Sequence, residues 1–153
     1  MSKRVIKFDN NDLELKRQII LSHYEKPTNK IKKKLDKPWV SIDKNSTGCI
    51  DNFSLYLKYT NNKIESIKFK GEGCAISTSA TDIMCEKLKN MTIDDAIVYI
   101  DNYLNMVTGK KFDDKKLEEL NVFSEIHKQF NRINCAKIGI EGIKSILLEI
   151  KNK

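Results

Sequence analysis

Hydrophobic runs long enough to cross a membrane are missing from this 153-residue sequence, and its start carries no basic-then-apolar signal segment. We therefore expect a cytoplasmic protein without membrane contact, whose thiols stay reduced and available for metal or sulfur chemistry. Internal repeats and signs of a domain boundary are also missing. Because a chain of this length can bury a core without disulfides, we predict a single domain over residues 1–153.

The basic composition does not by itself point to nucleic acid. The formal net charge is +7, but the basic residues are spread along the chain. The one dense run, residues 30–37 (KIKKKLDK), has neither arginines nor interleaved aromatic residues, both of which are common in nucleic-acid patches. We predict a solvated lysine-rich loop and no nucleic-acid partner, and we keep a binding face for an acidic protein as the alternative.

The sequence contains four cysteines but no C-x-x-C pair, the spacing from which zinc modules usually draw their ligands. Cys49, Cys74 and Cys135 instead lie in separate segments, and Asp51 follows two residues after Cys49. Three thiolates and one carboxylate form a complete tetrahedral ligand set for Zn²⁺. The alternative is that the cysteines are buried and serve only as small hydrophobic side chains, which is the role we expect for Cys85.

Each of the three cysteines has a different local setting. Cys49 lies in a glycine-containing loop, residues 47–51 (TGCID). Cys74 follows a GEG turn at the start of a predicted helix, and Cys135 begins the last predicted helix. The dipole and free N–H groups of a helix N-terminus stabilise a thiolate. We therefore expect the pKa values of the Cys74 and Cys135 thiols to be lowered.

Hydrophobic periodicity predicts an α+β fold. The predicted strands are residues 39–42, 53–59 and 64–69, the last two joined by a turn at Asn61-Asn62. The predicted helices are residues 12–24, 76–88, 92–107 with Thr92 as its cap, one or two short helices within 113–130, and a last one that ends near residue 150. We expect a small three-stranded antiparallel sheet with helices packed on one face.

Four stretches carry longer motifs. They are residues 15–29 (LKRQIILSHYEKPTN), which end in H-Y-x-x-P-x-N, 45–51 (NSTGCID), 71–84 (GEGCAISTSATDIM) and 132–136 (RINCA). In this order they resemble the opening helix and the three cysteine motifs of the U-type iron–sulfur cluster assembly proteins, which include SufU, IscU and the N-terminal module of NifU. The resemblance covers nearly the whole chain and implies that family's fold.

The spacing of these motifs resembles the SufU branch of the family. Cys74 and Cys135 lie 61 positions apart (135 minus 74), as in SufU proteins with their extra segment, whereas IscU proteins are shorter there. IscU proteins also carry a histidine before the last cysteine, where this chain has Asn134, and a proline-rich chaperone-recognition motif that residues 128–131 do not match. The resemblance therefore favours SufU over a scaffold served by a dedicated chaperone.

Resemblance to SufU implies a ligand set and a reaction. The implied zinc ligands are Cys49, Asp51, Cys74 and Cys135. Cys49 would accept persulfide sulfur from a pyridoxal-phosphate-dependent cysteine desulfurase of the SufS type, for delivery to downstream iron–sulfur assembly proteins. A loop position suits that role, because Cys49 can leave the metal and act as a nucleophile while the two helix cysteines hold it. We expect a monomer or a weak dimer.

Two other functions fit the same cysteines. Thiolates bind iron and sulfide as well as zinc, so the chain could be a scaffold on which an iron–sulfur cluster is assembled. It could also be a structural zinc module without sulfur chemistry, in which every cysteine is a static ligand.

Neighbouring residues complete the expected site. Three thiolates and one carboxylate around Zn²⁺ leave a net charge of −2, and Arg132, three residues before Cys135, is the candidate to compensate it. We expect His23, at the end of the first helix, to be structural. His127 lies eight residues before Cys135 and is the candidate to replace a missing ligand.

The first-cysteine loop departs from the family pattern. The proline that the family has before this cysteine and the glycine that follows it are absent, since Gly48 precedes Cys49 and Ile50 follows it. If this change carries Asp51 away from the thiols, water or another residue fills the fourth position.

Overall fold

The computed structural model describes residues 12–45 and 51–153, which form one antiparallel sheet and a set of helices. In chain order the elements are α1 (Leu13–Glu25), β1 (Val40–Asn45), β2 (Asn52–Thr60), β3 (Lys63–Glu72), α2 (Ala75–Leu88), α3 (Ile93–Val107), α4 (Asp114–Leu117), two 3₁₀ segments (Glu118–Phe123 and Ile126–Lys128) and α5 (Phe130–Lys151). The predicted α+β class and three-stranded sheet are confirmed.

The sheet has the order β1-β2-β3, and alternate side chains on one face meet the helices. Leu55 and Leu57 of β2 are fully buried in the core between the sheet and the helices. Their partners are Ile42 and Val40 on β1 and Phe69 and Ile67 on β3. Since successive residues of a strand point to opposite faces, this register places the apolar set of all three strands on one side.

The turn between β2 and β3 was predicted from the sequence, whereas a pairing at the edge of the sheet was not. Asn61 and Asn62 both have positive φ angles, 53° and 64°, as a two-residue hairpin turn between β2 and β3 requires. At the free edge of β3, the Ile31 N–H donates to Phe69 O (2.8 Å) and the Phe69 N–H donates to Asn29 O (3.0 Å). The stretch around Asn29–Ile31 is too short to show strand periodicity, so the sequence did not predict this pairing.

Side-chain caps fix the starts of two helices where they were predicted. Asp12 Oδ1 accepts a hydrogen bond from the Leu15 N–H (3.0 Å) at the start of α1. Thr92 Oγ1 accepts one from the Asp95 N–H (3.1 Å) at the start of α3. In the part of the chain that the structure describes, no helix is both long enough and apolar enough to cross a membrane. The lysine-rich stretch is a largely exposed loop, as predicted.

The last helix begins at Phe130, so the prediction that Cys135 begins it was wrong. Gln129, which precedes the helix, makes no capping hydrogen bond with its side chain, so no side-chain cap marks the start of the helix. Cys135 lies in the second turn, beyond the free N–H groups of the helix end. The segment before α5 contains α4 and two 3₁₀ segments, in agreement with the predicted short helices.

Candidate metal centre

Three side chains from distant parts of the chain meet at one end of the sheet. A carboxylate oxygen of Asp51 and the sulfur atoms of Cys74 and Cys135 all lie within 4.8 Å of one another. Asp51 directly precedes β2, Cys74 directly precedes α2, and Cys135 lies in the second turn of α5. Cys49, the fourth predicted ligand, lies outside the described residues. A carboxylate and two sulfur atoms at this spacing are a donor set that suits Zn²⁺.

The Asp51 carboxylate is buried and only half satisfied. It is 2% exposed, and its Oδ1 accepts hydrogen bonds from the Cys74 N–H (2.9 Å) and the Ser77 hydroxyl (2.9 Å). Its Oδ2 is buried without a hydrogen-bond partner among the described residues. Burying an unpaired carboxylate oxygen is costly, and a bound cation removes that cost. Asp51 lies beside the Cys74 and Cys135 thiols, although the sequence around Cys49 departs from the family pattern.

Cys74 occupies the N-cap of α2, as the sequence predicted. Its backbone is extended there (φ −74°, ψ 175°), and its Sγ accepts a hydrogen bond from the Ser77 N–H at 3.4 Å. A sulfur atom in this position faces the free N–H groups and the positive end of the helix dipole, which favour a negatively charged ligand.

Cys135 behaves differently from the prediction of a lowered pKa. Burial, followed by the nearby Cys74 thiol and Asp51 carboxylate, raises the pKa of the Cys135 thiol to about 12. The prediction was wrong because Cys135 lies beyond the first turn of α5 and faces acidic groups rather than a free helix end. Without a cation the thiol keeps its proton, so metal binding must displace it.

Comparison with known proteins identifies the family. Residues 15–136 match the NifU-like N terminal domain. The chain belongs to this family. Its members act in iron–sulfur cluster assembly, so this coarse assignment holds for the present chain as well.

Individual relatives of this NifU-like domain carry two different functions in their names. This chain is 30% identical over 138 residues to the zinc-dependent sulfurtransferase SufU of Bacillus subtilis, and the match covers 90% of this chain and 92% of that protein. It is 28% identical over 121 residues to the iron–sulfur cluster assembly scaffold protein IscU of Thermotoga maritima, covering 79% and 85%. A crystal structure of a SUF-system scaffold protein from Fervidobacterium islandicum AW-1 superposes with a TM-score of 0.76 at 27% identity, covering 85% and 94%.

Ser77 belongs to the site of this NifU-like domain, and sequence reasoning missed it. It is fully buried in the first turn of α2, and its hydroxyl contacts the Asp51 carboxylate. Gly73 leaves room for that contact, because a Cβ on Gly73 would lie 2.5 Å from Ser77 Oγ and 3.1 Å from Asp51 Oδ1. The available signal was a serine three residues after the capping Cys74, where a side chain faces back toward the cap.

The other candidate residues lie away from the three donors or contact none of them. Arg132 is exposed and lies one turn before Cys135 on α5, and its side chain makes no ion pair with any residue that the structure describes. His127 Nδ1 lies 3.0 Å from Ser124 O and is not among the clustered ligands. Cys85 is buried in the core, and burial raises its pKa well above its ordinary value. The role of Arg132 stays a prediction.

A second group of metal-type ligands, formed by His23, Asp82 and Glu86, is better explained as a structural link. The buried His23 Nδ1 and Asp82 Oδ2 are hydrogen-bonded at 2.6 Å. Asp82 Oδ1 accepts hydrogen bonds from the Asn29 N–H (2.8 Å) and side-chain amide (3.1 Å). Both carboxylate oxygens therefore have partners. The group ties the end of α1 and the following segment to α2, which agrees with the structural role expected for His23.

Proposed function

We propose that this protein is a zinc-dependent sulfur acceptor that takes persulfide sulfur from a cysteine desulfurase of the SufS type. The observation that carries the proposal is the buried Asp51 Oδ2, which lacks a hydrogen-bond partner in the described chain and lies beside the Cys74 and Cys135 thiols. A carboxylate oxygen and two sulfur atoms fit zinc. The similarity to the B. subtilis zinc-dependent sulfurtransferase, over nine-tenths of both chains, supports the same conclusion.

Three of the residues would hold the metal, and the fourth would also accept the sulfur. Asp51, Cys74 and Cys135 would hold Zn²⁺, with Cys49 as the fourth ligand. Zinc, when bound, keeps the thiols deprotonated at neutral pH. Cys74 and Cys135 belong to helices that pack against each other, so their positions are fixed. Cys49 comes from the segment between β1 and β2, and we assign it the reacting role.

The transfer step needs no external oxidant. The Cys49 thiolate attacks the terminal sulfur of the desulfurase persulfide, and a new S–S bond forms at Cys49. The S–S bond within the desulfurase breaks at the same time, and its cysteine leaves as a thiolate. The product is a persulfide on Cys49, which downstream iron–sulfur assembly proteins would consume. We place this reaction in the cytoplasm, where thiols remain reduced.

The test is desulfurase stimulation by Cys49→Ala with Cys85→Ala as a matched control. Both variants lose one thiol, but Cys85 is buried in the core away from the clustered donors. We expect purified wild-type protein to contain zinc and to stimulate a SufS-type desulfurase. Cys49→Ala should abolish stimulation while the fold persists, and Cys85→Ala should retain it. Normal sulfur acceptance by Cys49→Ala would show that another residue is the acceptor.

The second candidate is a scaffold that assembles an iron–sulfur cluster on the same cysteines. It is supported by the similarity to the T. maritima IscU scaffold and by the affinity of thiolates for iron. Metal analysis and an absorption spectrum of protein purified without added metal separate the two. Zinc without visible absorbance supports sulfur transfer, and iron with charge-transfer bands supports the scaffold. Zinc without any desulfurase stimulation supports a structural zinc module.

A further inference from the structure

The hydroxyl of Ser77 makes a hydrogen bond that reaches out of its helix to the candidate metal centre. Ser77 Oγ lies 2.9 Å from Asp51 Oδ1, 3.2 Å from Cys74 O and 3.5 Å from Cys74 Sγ. A serine hydroxyl has a single proton to donate. The charged carboxylate is a nearer and stronger acceptor than the Cys74 carbonyl oxygen, so the proton goes to Asp51.

This hydrogen bond makes the two oxygens of Asp51 unequal. Oδ1 receives the Ser77 hydroxyl and the Cys74 N–H, both at 2.9 Å, while Oδ2 receives no donor from the described residues. Two donors on one oxygen fix the rotation of the carboxylate about its last torsion, which is otherwise broad. Asp51 therefore presents one free oxygen beside the thiols.

The hydroxyls of Ser79 and Thr81 on α2 bond only within their own helix, which sets Ser77 apart. Ser79 Oγ donates to Ala75 O (2.6 Å), and Thr81 Oγ1 donates to Ser77 O (2.8 Å). Serine and threonine inside helices commonly bond back to the helix in this way. The Ser77 contact instead joins residues 26 positions apart in the sequence, and Gly73 provides the space for it.

We propose that Ser77 is a positioning residue that makes Asp51 a ligand through Oδ2 alone. The inference rests on the proposed zinc site and extends it to a residue outside the ligand set. With Oδ1 held by two donors, Oδ2 is the oxygen that Asp51 offers to a metal between the thiols.

The experiment measures zinc affinity by competition with a chromogenic chelator for Ser77→Ala and the matched control Ser79→Ala. Both changes remove one fully buried hydroxyl from the same helix. Groups that orient metal ligands typically contribute about 10–100-fold in affinity, and we expect a loss of that size for Ser77→Ala and wild-type affinity for Ser79→Ala. With Co²⁺ in place of Zn²⁺, the d–d absorption of Ser77→Ala should weaken, because a freed carboxylate raises the coordination number.

A double-mutant cycle with Asp51→Ala shows whether Ser77 acts through the carboxylate. If it does, adding Ser77→Ala to Asp51→Ala should cost no further zinc affinity, whereas a general structural role would give the same loss in both backgrounds. If metal-free Ser77→Ala does not fold, the rate of zinc release from protein refolded with zinc gives the same comparison. Equal values for Ser77→Ala and Ser79→Ala, or an undiminished loss in the Asp51→Ala background, overturn the role of Ser77 and leave the zinc site standing. A wild-type protein that binds neither Zn²⁺ nor Co²⁺ overturns the proposed function and this inference together.

Discussion

Gly139 on α5 lies so close to Thr81 on α2 that no side chain fits between them. A Cβ on Gly139 would overlap Thr81 Oγ1 and lie 2.9 Å from both Thr81 Cβ and Thr81 Cγ2. The contact sets the distance between two helices, and each of these helices carries one sulfur atom of the candidate metal centre. Cys74 lies at the start of α2 and Cys135 one turn before Gly139 on α5. Close helix packing and the spacing of the thiols are therefore coupled.

The first prediction is that Gly139→Ala lowers both stability and zinc affinity. In an exposed helix the same change stabilises by roughly 1 kcal/mol, so a decrease in the free energy of unfolding reports the clash with Thr81. We expect a loss of about 1–3 kcal/mol, the range typical of overpacked cores, measured by urea denaturation. Adding Thr81→Ala should recover part of the loss. An increase in the free energy of unfolding would show that α2 and α5 can move apart and accept the added methyl group without loss of stability.

The second prediction concerns removal of the metal. Chelator treatment should lower the melting temperature, because zinc binds only the folded arrangement of Asp51, Cys74 and Cys135 and its binding energy adds to folding. The metal-free protein must also bury the Asp51 Oδ2 without a partner from the described chain. Differential scanning calorimetry before and after chelation, followed by zinc addition, checks this. An unchanged melting temperature would count against a structural contribution of the metal.

Local signals in the sequence were sufficient for most of the fold. The caps at Asp12 and Thr92 and the paired asparagines at 61 and 62 each act over a few residues, so their outcomes could be predicted from the chain alone. The start of α5 could not, because Gln129 provides no capping bond and the neighbouring asparagines are equally plausible start signals. A single domain over residues 1–153 stays a prediction.

Tertiary contacts account for what the sequence did not reveal about the site. Ser77 and Asp51 meet only after the sheet and α2 have packed, and their separation in sequence gives no sign of the contact. The raised pKa of Cys135 has the same origin, since burial and the approach of Cys74 and Asp51 are properties of the packed chain. The resemblance to SufU did single out Asp51, Cys74 and Cys135, and these three lie together. Their assignment as zinc ligands stays a prediction.

The third prediction uses the raised pKa of Cys135. In the metal-free protein, burial and the neighbouring Cys74 and Asp51 raise the pKa of the folded thiol to about 12, from an ordinary value of 9.0 in the unfolded chain. Between these two values the unfolded chain has lost a proton that the folded protein retains, so the free energy of unfolding falls as pH rises above 9.0. With zinc bound the thiolate is present in the folded state, and stability should instead rise with pH up to that point. Denaturation at several pH values, with metal-free Cys135→Ala as the control, isolates this thiol. Identical slopes for the wild type and the control would show that the thiol titrates normally.

The last prediction tests the charge of Arg132 against that of a neighbouring lysine. Arg132 and Lys128 are both exposed near the start of α5, but Lys128 pairs with Glu125 at 3.3 Å, and Arg132 lies one turn before Cys135. Residues three apart on a helix share a face, so Arg132 is on the side of the helix that carries the Cys135 sulfur.

An anionic site with three thiolates and a carboxylate needs a nearby cation when a ligand is exchanged. Arg132→Ala should therefore keep its zinc and lose desulfurase stimulation by about 10–100-fold, while Lys128→Ala retains both. Zinc content and stimulation of a SufS-type desulfurase, measured for both variants, decide the matter. Equal stimulation by the two variants would remove Arg132 from the site.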